Sequence, residues 1–234
     1  MISKDTPIAM TLNLLPHPVL QKFQHWLEHR AQLSADWRSQ QWLALDIESN
    51  GLSCGPEGIL SIAWVPLSHG TMQLAAAEYH VVRADTQLNQ SVIHHELTQS
   101  DLAQGEPLTD ILARLAEVLV DRILVAHHAK LDWGLLSAAS QLLDIPLQPL
   151  AIADTLMIER KSAQGRYRQE QMGGNENGAF TLAACRARHG LPERIGHHAL
   201  EDAIACGELF LAQAWKLANG KPLSAQELVQ RSRS

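Results

Sequence analysis

Trp42-Leu43-Ala44-Leu45-Asp46-Ile47-Glu48-Ser49-Asn50-Gly51-Leu52 is the stretch from which the rest of the chain can be read. Four apolar residues lead into an alternating acidic pair and then into a Ser-Asn-Gly turn, the pattern of a buried strand that ends at a polar site. Side chains alternate along a strand, so Asp46 and Glu48 share one face. Two carboxylates on a core strand are costly to desolvate unless something positive lies between them, and a divalent cation with oxygen ligands meets that need. Taken alone, Asp-x-Glu has a plainer reading as the polar end of a strand entering a turn.

Two further acids sit in similar settings. A strand-like run, Arg122 to Ala126, ends in His127-His128 and leads into a helical stretch from about Lys130 to Leu143. Asp132 falls in that helix's first turn, where the macrodipole favours an anion, so helix-start chemistry accounts for it as well as catalysis does. His197-His198-Ala199-Leu200-Glu201-Asp202-Ala203 then opens the longest amphipathic segment, which runs to about Leu217 with Asp202 near its beginning. Capping explains each acid singly but does not predict the order of all three signatures.

From about Gln41 to Leu217 this ordered set resembles the DEDDh, or DnaQ-like, group of 3'-to-5' exonucleases, which includes the proofreading subunit of bacterial DNA polymerase III and ribonuclease T. That pattern is a strand Asp-x-Glu with a Thr/Ser-x-Gly-Leu turn, then His-Asn-x-x-Phe-Asp, then His-x-Ala-Leu-x-Asp-Ala. The chain supplies Asp46, Glu48, Gly51 and Leu52, then His127 and Asp132, then His197, Ala199, Leu200, Asp202 and Ala203. His95-Glu96-Leu97-Thr98 and Asp154-Thr155-Leu156 are further echoes. His128 stands where the family has Asn, and Leu131 where it has Phe.

The resemblance implies metal-assisted hydrolysis from the 3' end of single-stranded nucleic acid, DNA in the first reading, with release of nucleoside 5'-monophosphates. It implies two divalent ions, Mg²⁺ or Mn²⁺, with Asp46 bridging both, Glu48 and Asp202 completing one site, and Asp132 holding the second largely through water. His197 is implied as general base, and Ser49, Asn50, Gly51, Leu52 and His95 as contacts to the terminal nucleotide. An exoribonuclease or oligonucleotide-trimming enzyme would use the same ligands, and a noncatalytic binding module of the same fold is the third reading. The histidine assignment is contested by geometry. In one continuous helix His198 and Asp202 are i, i+4 neighbours, whereas the family motif selects His197, consistently so if the helix begins only after the pair.

The 234 residues, 46% hydrophobic, suffice for one sizeable α/β domain plus an extension. We expect a ribonuclease H-like three-layer fold with a central mixed five-stranded sheet flanked by helices. Its strands fall near 42–48, 59–66, 72–83, 123–127 and 150–153, and its helices near 108–120, 130–143, 181–189 and 199–217. Residues 1–40 read as an N-terminal helical extension with a helix over 18–33, residues 41–218 as the exonuclease domain, and residues 219–234 as a short tail with one helix at 225–230.

A formal net charge of −6 argues against a basic nucleic-acid coat. An enzyme that grips only a few terminal nucleotides needs few phosphate contacts, so the charge does not exclude a nuclease. Arg160, Lys161, Arg166 and Arg168, with Tyr167 among them, precede a polar stretch from Gln169 to Gly178. This segment reads either as a mobile arm along single-stranded substrate or as a solvated loop. Three widely spaced cysteines, Cys54, Cys185 and Cys206, signal neither a disulfide framework nor a zinc ribbon. The pairs His94-His95, His127-His128 and His197-His198 lack zinc-site spacing. No apolar stretch approaches the roughly 20 residues that span a bilayer, and no signal peptide is evident, so the expectation is a cytoplasmic protein without membrane partners. The N-terminal helix offers a surface for a protein partner, and the oligomeric state is unassigned.

Overall fold

In the computed structural model, which describes residues 27–51, 55–84, 97–170, 176–194 and 197–233, the opening stretch forms β1 (Gln41–Ser49). It is followed by β2 (Ile59–Ser68), β3 (Thr71–Met72), β4 (Glu78–Val81), β5 (Arg122–Ala126) and β6 (Ala151–Asp154). β1 pairs antiparallel with β2 and parallel with β5, and β5 pairs parallel with β6. The mixed sheet runs β3-β2-β1-β5-β6, with β4 also on β2. It therefore has six strands rather than the expected five. The segment read as one strand over 72–83 is broken by a 3₁₀ turn at Leu74–Ala76, where alanines supply little strand propensity, and its two halves meet β2 at different places.

The helices are α1 (Gln99–Gln104), α2 (Leu108–Leu119), α3 (Ala129–Leu143), α4 (Thr155–Glu170), α5 (Glu176–Ala179), α6 (Leu182–Arg188), α7 (Ala199–Ala218) and α8 (Ala225–Arg231). Alternation along the strands sorts them into layers. Trp42, Ala44, Val65, Ile123 and Val125 pack against Ile158 of α4, Cys206 and Phe210 of α7, and Leu228 of α8. Leu43, Leu45, Ile62, Trp64 and Leu124 pack against Ile111 and Leu115 of α2 and Leu136 and Ala139 of α3. The result is the expected helix-sheet-helix sandwich of the ribonuclease H kind.

Two contacts set the position of α7. Gly207 lies where a Cβ would come within 3.3 Å of the Ala44 Cβ and 3.1 Å of the Met72 Cε, so glycine facing alanine lets the helix settle close onto β1. Gln213, buried in the same helix, donates from Nε2 to the Thr155 carbonyl at 2.9 Å and to Glu159 at 3.0 Å, which locks α7 to α4.

The segment with Arg160 and Lys161 is not an arm at its start: helix α4 runs through both and on to Glu170. Its first turns bury Leu156 and Ile158, and its start is capped by Asp154, whose Oδ1 accepts the N–H of Leu156 at 2.9 Å and of Met157 at 3.3 Å. Of the expected N-terminal helix, residues 27–34 are helical, and 18–26 lie outside the described residues. Leu33 and Trp37 join the same core cluster as α8, and the Trp37 N–H donates to the Leu223 carbonyl at 3.0 Å. Among the described residues no helix is long and apolar enough to cross a membrane.

Candidate active site

Asp46 and Glu48 follow Trp42 and Ala44 on the face of β1 that meets α7. A register shift between Glu48 and Ser49 ends the regular pairing with β2, so both carboxylates stand where the strand leaves the sheet. The chain turns through buried Asn50, whose N–H donates to the Gly58 carbonyl at 2.8 Å, and through Gly51 at φ 113°, a backbone conformation that suits glycine alone. From the other layer, α7 begins at Ala199 and carries Asp202 in its first turn. Carboxylate oxygens of Asp46, Glu48 and Asp202 all lie within 4.8 Å of one another.

Asp132, in the first turn of α3, is buried and lies outside that trio, yet its charge reaches it. Burial, then the charges of Asp132, Glu48 and Asp202, push the Asp46 carboxyl well above the usual carboxylate range. Burial followed by the Asp202 charge lifts Glu48 to about 7. Burial also lifts Asp132 to about 7, opposed by a hydrogen bond from its own backbone N–H and reinforced by the charges of Asp154 and Glu48. Asp202 is raised by burial, an effect moderated by the His197 N–H, which donates to its Oδ2 at 2.9 Å. Acids that raise one another in a shared recess destabilise the protein by itself and are relieved by positive charge. The donor set is all carboxylate oxygen, which suits a hard divalent cation of the Mg²⁺ or Mn²⁺ kind.

The two histidines before Asp202 differ in setting. The helix starts only after the pair, with His198 as its N-cap and His197 at φ 76° outside it. The His197 side chain is exposed, while the half-buried His198 ring lies against Tyr79, with centroids 4.5 Å apart and planes at 32°. The condition under which the family motif favours His197 is therefore met by the backbone.

Ser49, Asn50 and Gly51 are at the end of β1 beside the acids. Leu52 and His95 lie outside the described residues, as does Cys54; Cys185 and Cys206 are buried free thiols. Three residues near the site had been given no role there, although His127 and Asp154 belong to the family-like motifs. Asp154, at the end of β6, accepts the His128 N–H at 3.1 Å besides the two N–H groups of α4. It thereby holds the left-handed His128, φ 68°, from which α3 departs; the sequence offered it only as the family echo Asp154-Thr155-Leu156, with no role attached. His127 is tied by Nδ1 to the Thr155 hydroxyl at 2.8 Å and by Nε2–H to the Phe180 carbonyl at 3.0 Å, and burial lowers its pKa toward the neutral imidazole this bonding needs. Tyr79 is level with Ala63 on β2, which is level with Asp46 on β1. It shares a face with the acids for a reason visible only once strand register is known.

An exonuclease family model, that of the ribonuclease T group, matches residues 43–210, most of the chain and all of the acidic signatures. The chain belongs to this family of DnaQ-like 3'–5' exonucleases. Its relatives include the PolC-type DNA polymerase III of Streptococcus pneumoniae, 24% identical over 184 residues, which are 76% of this chain and 11% of the polymerase. The PolC-type polymerase of Listeria welshimeri is 27% identical over 120 residues, 51% of this chain and 8% of the polymerase. The chain thus spans about a tenth of the length of these relatives. Among solved structures, exonuclease X in complex with 5' overhanging duplex DNA aligns with a TM-score of 0.57 at 20% identity, over 82% of this chain and 99% of that one. E. coli exonuclease I with a dA16 oligonucleotide aligns with a TM-score of 0.62 at 15% identity, over 76% and 41%. A 3'-exonuclease that recognises the 3' end of a histone mRNA stem-loop aligns with a TM-score of 0.60 at 11% identity, over 92% and 88%. At these identities the structural likeness establishes the shared exonuclease fold.

Proposed function

We propose that the protein is a divalent-metal-dependent 3'–5' exonuclease that hydrolyses single-stranded nucleic acid, DNA in the first instance, and releases nucleoside 5'-monophosphates. The observation that carries this reading is the trio Asp46, Glu48 and Asp202, converged within 4.8 Å from two layers of the fold, with Asp132 close enough to raise the Asp46 carboxyl. In this reading Asp46, Glu48 and Asp202 would hold one ion, and Asp46 and Asp132 would help to hold a second. When bound, such ions supply Lewis acidity and charge neutralisation at the scissile phosphodiester.

The chain's own groups do the rest. His197 accepts the proton of the attacking water, a task suited to an imidazole near neutral pH, and the bond from its N–H to Asp202 anchors its backbone beside the acids. His198 packs as a wall against Tyr79. Ser49, Asn50 and Gly51, with Leu52 and His95, receive the terminal nucleoside. Residues 41–218 form the exonuclease unit, with 1–40 as an extension that offers a partner surface and 219–234 as a tail; the setting is the cytoplasm.

DNA is favoured by the exonuclease I and exonuclease X complexes, whose ligands are DNA, and RNA by the histone mRNA exonuclease. Digestion of 5'-labelled single-stranded DNA and RNA decides between them. We expect ladders shortening from the 3' end with Mg²⁺ or Mn²⁺, none in chelator, and resistance of a 3'-phosphate-blocked strand. Full activity in excess chelator, or cutting of circular strands, removes the reading.

A further inference from the structure

We propose that the groove between α3 and α4 is the track on which the single strand lies upstream of its reacting 3' end. This assignment rests on the nuclease function above and adds to it a binding surface separate from the carboxylate site. The groove has a volume of about 780 Å³. It opens at His128 and Asp154, where β5 and β6 end beside the acids; the Asp154 charge is felt by Asp132. From there one wall follows α3 from Ala129 to Gln141, about 18 Å at the rise of a helix.

Its chemistry is that of a single-strand platform, which pairs cations for the backbone with flat apolar surface for the bases. Trp133 and Leu156 supply apolar wall, and Lys130, Arg160 and Arg233 supply positive charge. Arg233 is kept at the groove because the Lys161 ammonium donates to the carbonyls of Gln230 and Arg233, pinning the end of the chain. Asp154 is the one acid among the described lining residues, and its Oδ1 is engaged by three backbone N–H groups. In a chain of net charge −6, this is a local reversal of sign beside the catalytic acids.

Gly134 lies in the same wall of the groove. A Cβ there would meet nothing within 4 Å, so packing does not require glycine, and in a helix interior glycine costs about 1 kcal/mol against alanine. What it does is leave the α3 wall flat beside Trp133, where a base can lie.

The test separates the track from the chemistry. The readouts are anisotropy of a fluorescein-labelled oligothymidylate in chelator and, with Mg²⁺, hydrolysis of the p-nitrophenyl ester of thymidine 5'-monophosphate, which is too short to reach the groove. The triple variant Lys130→Ala, Arg160→Ala, Arg233→Ala is expected to bind the oligonucleotide at least tenfold more weakly. Its slope of log affinity against log salt should fall by about two, as three lost single-strand phosphate contacts require, with ester hydrolysis unchanged. Gly134→Leu, which keeps a good helix former, should weaken oligonucleotide binding in the same way. Unaltered binding in both variants overturns the track, as does displacement of the oligonucleotide by polyglutamate at equal concentration, which would assign the groove to an acidic protein. A wild-type protein that binds the oligonucleotide in this groove but leaves the ester intact sinks the nuclease function and spares the track.

Discussion

Asp46 is the residue on which function and stability disagree most sharply. Its carboxyl is raised by burial and by three neighbouring acids, so the ionised form is a burden that the fold tolerates for what it can bind. Asp46→Asn keeps the shape and removes the charge. In chelator near neutral pH the variant should be more stable than wild type by about 1 kcal/mol or more, or roughly 2–4 °C in Tm. Its turnover should fall below detection, and Mg²⁺ should no longer raise its Tm as it does for wild type. A loss of stability in chelator would mean that the carboxylate is satisfied by the protein alone. The adjacent histidines offer a second contrast. His197→Ala is expected to lower turnover by roughly two orders of magnitude or more, in line with loss of a general base. His198→Ala should change turnover little and cost about 1 kcal/mol through the lost contact with Tyr79. The opposite ranking on folded proteins at saturating metal transfers the role to His198. Both acids of β1 and Asp202 were legible because strand alternation and helix starts are local patterns. Tyr79 was not, and Asp154 was visible only as a family echo without a role, because what brings them to the site is the register of β4 on β2 and the meeting of β6 with the turn before α3.

At the scale of elements, the site depends on how closely α7 lies against β1. Asp46 and Asp202 come from different layers, and Gly207, five residues beyond Asp202, is the point of close approach, with Ala44 across from it. Gly207→Ala presses on the flexible end of Met72 and on Ala44, but gains helix propensity of about 1 kcal/mol, so stability should change by less than about 1 kcal/mol either way. Gly207→Val adds a branched side chain where there is no room and should cost about 1–3 kcal/mol. By lifting α7 from the sheet, it should also lower turnover at saturating metal well beyond the alanine variant. Equal activity in the two would show that the helix tolerates displacement. The elements themselves were largely legible: β1, β2, β5, α2, α3, α7 and α8 fall within a residue or two of expectation, because each has a strong apolar period. α4 was missed altogether, because after Ile158 its sequence turns polar and mimics a loop. The split of β3 from β4 was missed because the apolar run Leu74 to Ala77 joins the two strand-like segments in sequence although the backbone turns there.

Across the whole molecule, two groups of acids pull stability in opposite directions with pH. Glu48 and Asp132, each raised to about 7 chiefly by burial, bind protons more readily in the folded state than in the unfolded one. Without metal, their destabilising charge is fully present above about pH 7 and is relieved as pH falls toward the ordinary carboxylate range. Glu159 is the reverse. Burial alone would raise it, but hydrogen bonds from His189, Gln213 and Arg188 prevail and hold it at about 2, in a buried junction that joins α4, α6 and α7. Its contribution is complete above the unfolded carboxyl's pKa and is lost as pH falls through about 2, a span worth at most about 3 kcal/mol. The metal-free protein should therefore be most stable near pH 5, below the titration of the site acids and above that of Glu159. Saturating Mg²⁺, which replaces protons at those acids, should move the optimum toward neutrality. Glu159→Gln should lower stability by about 2–3 kcal/mol at pH 6, since it leaves Arg188 and His189 without their carboxylate, and by progressively less below pH 4. Tm against pH in chelator and in Mg²⁺, for wild type and this variant, measures all three effects. A chelated optimum at or above pH 7 would show that the site acids are not raised, and with that the electrostatic case for a cation between them would fail.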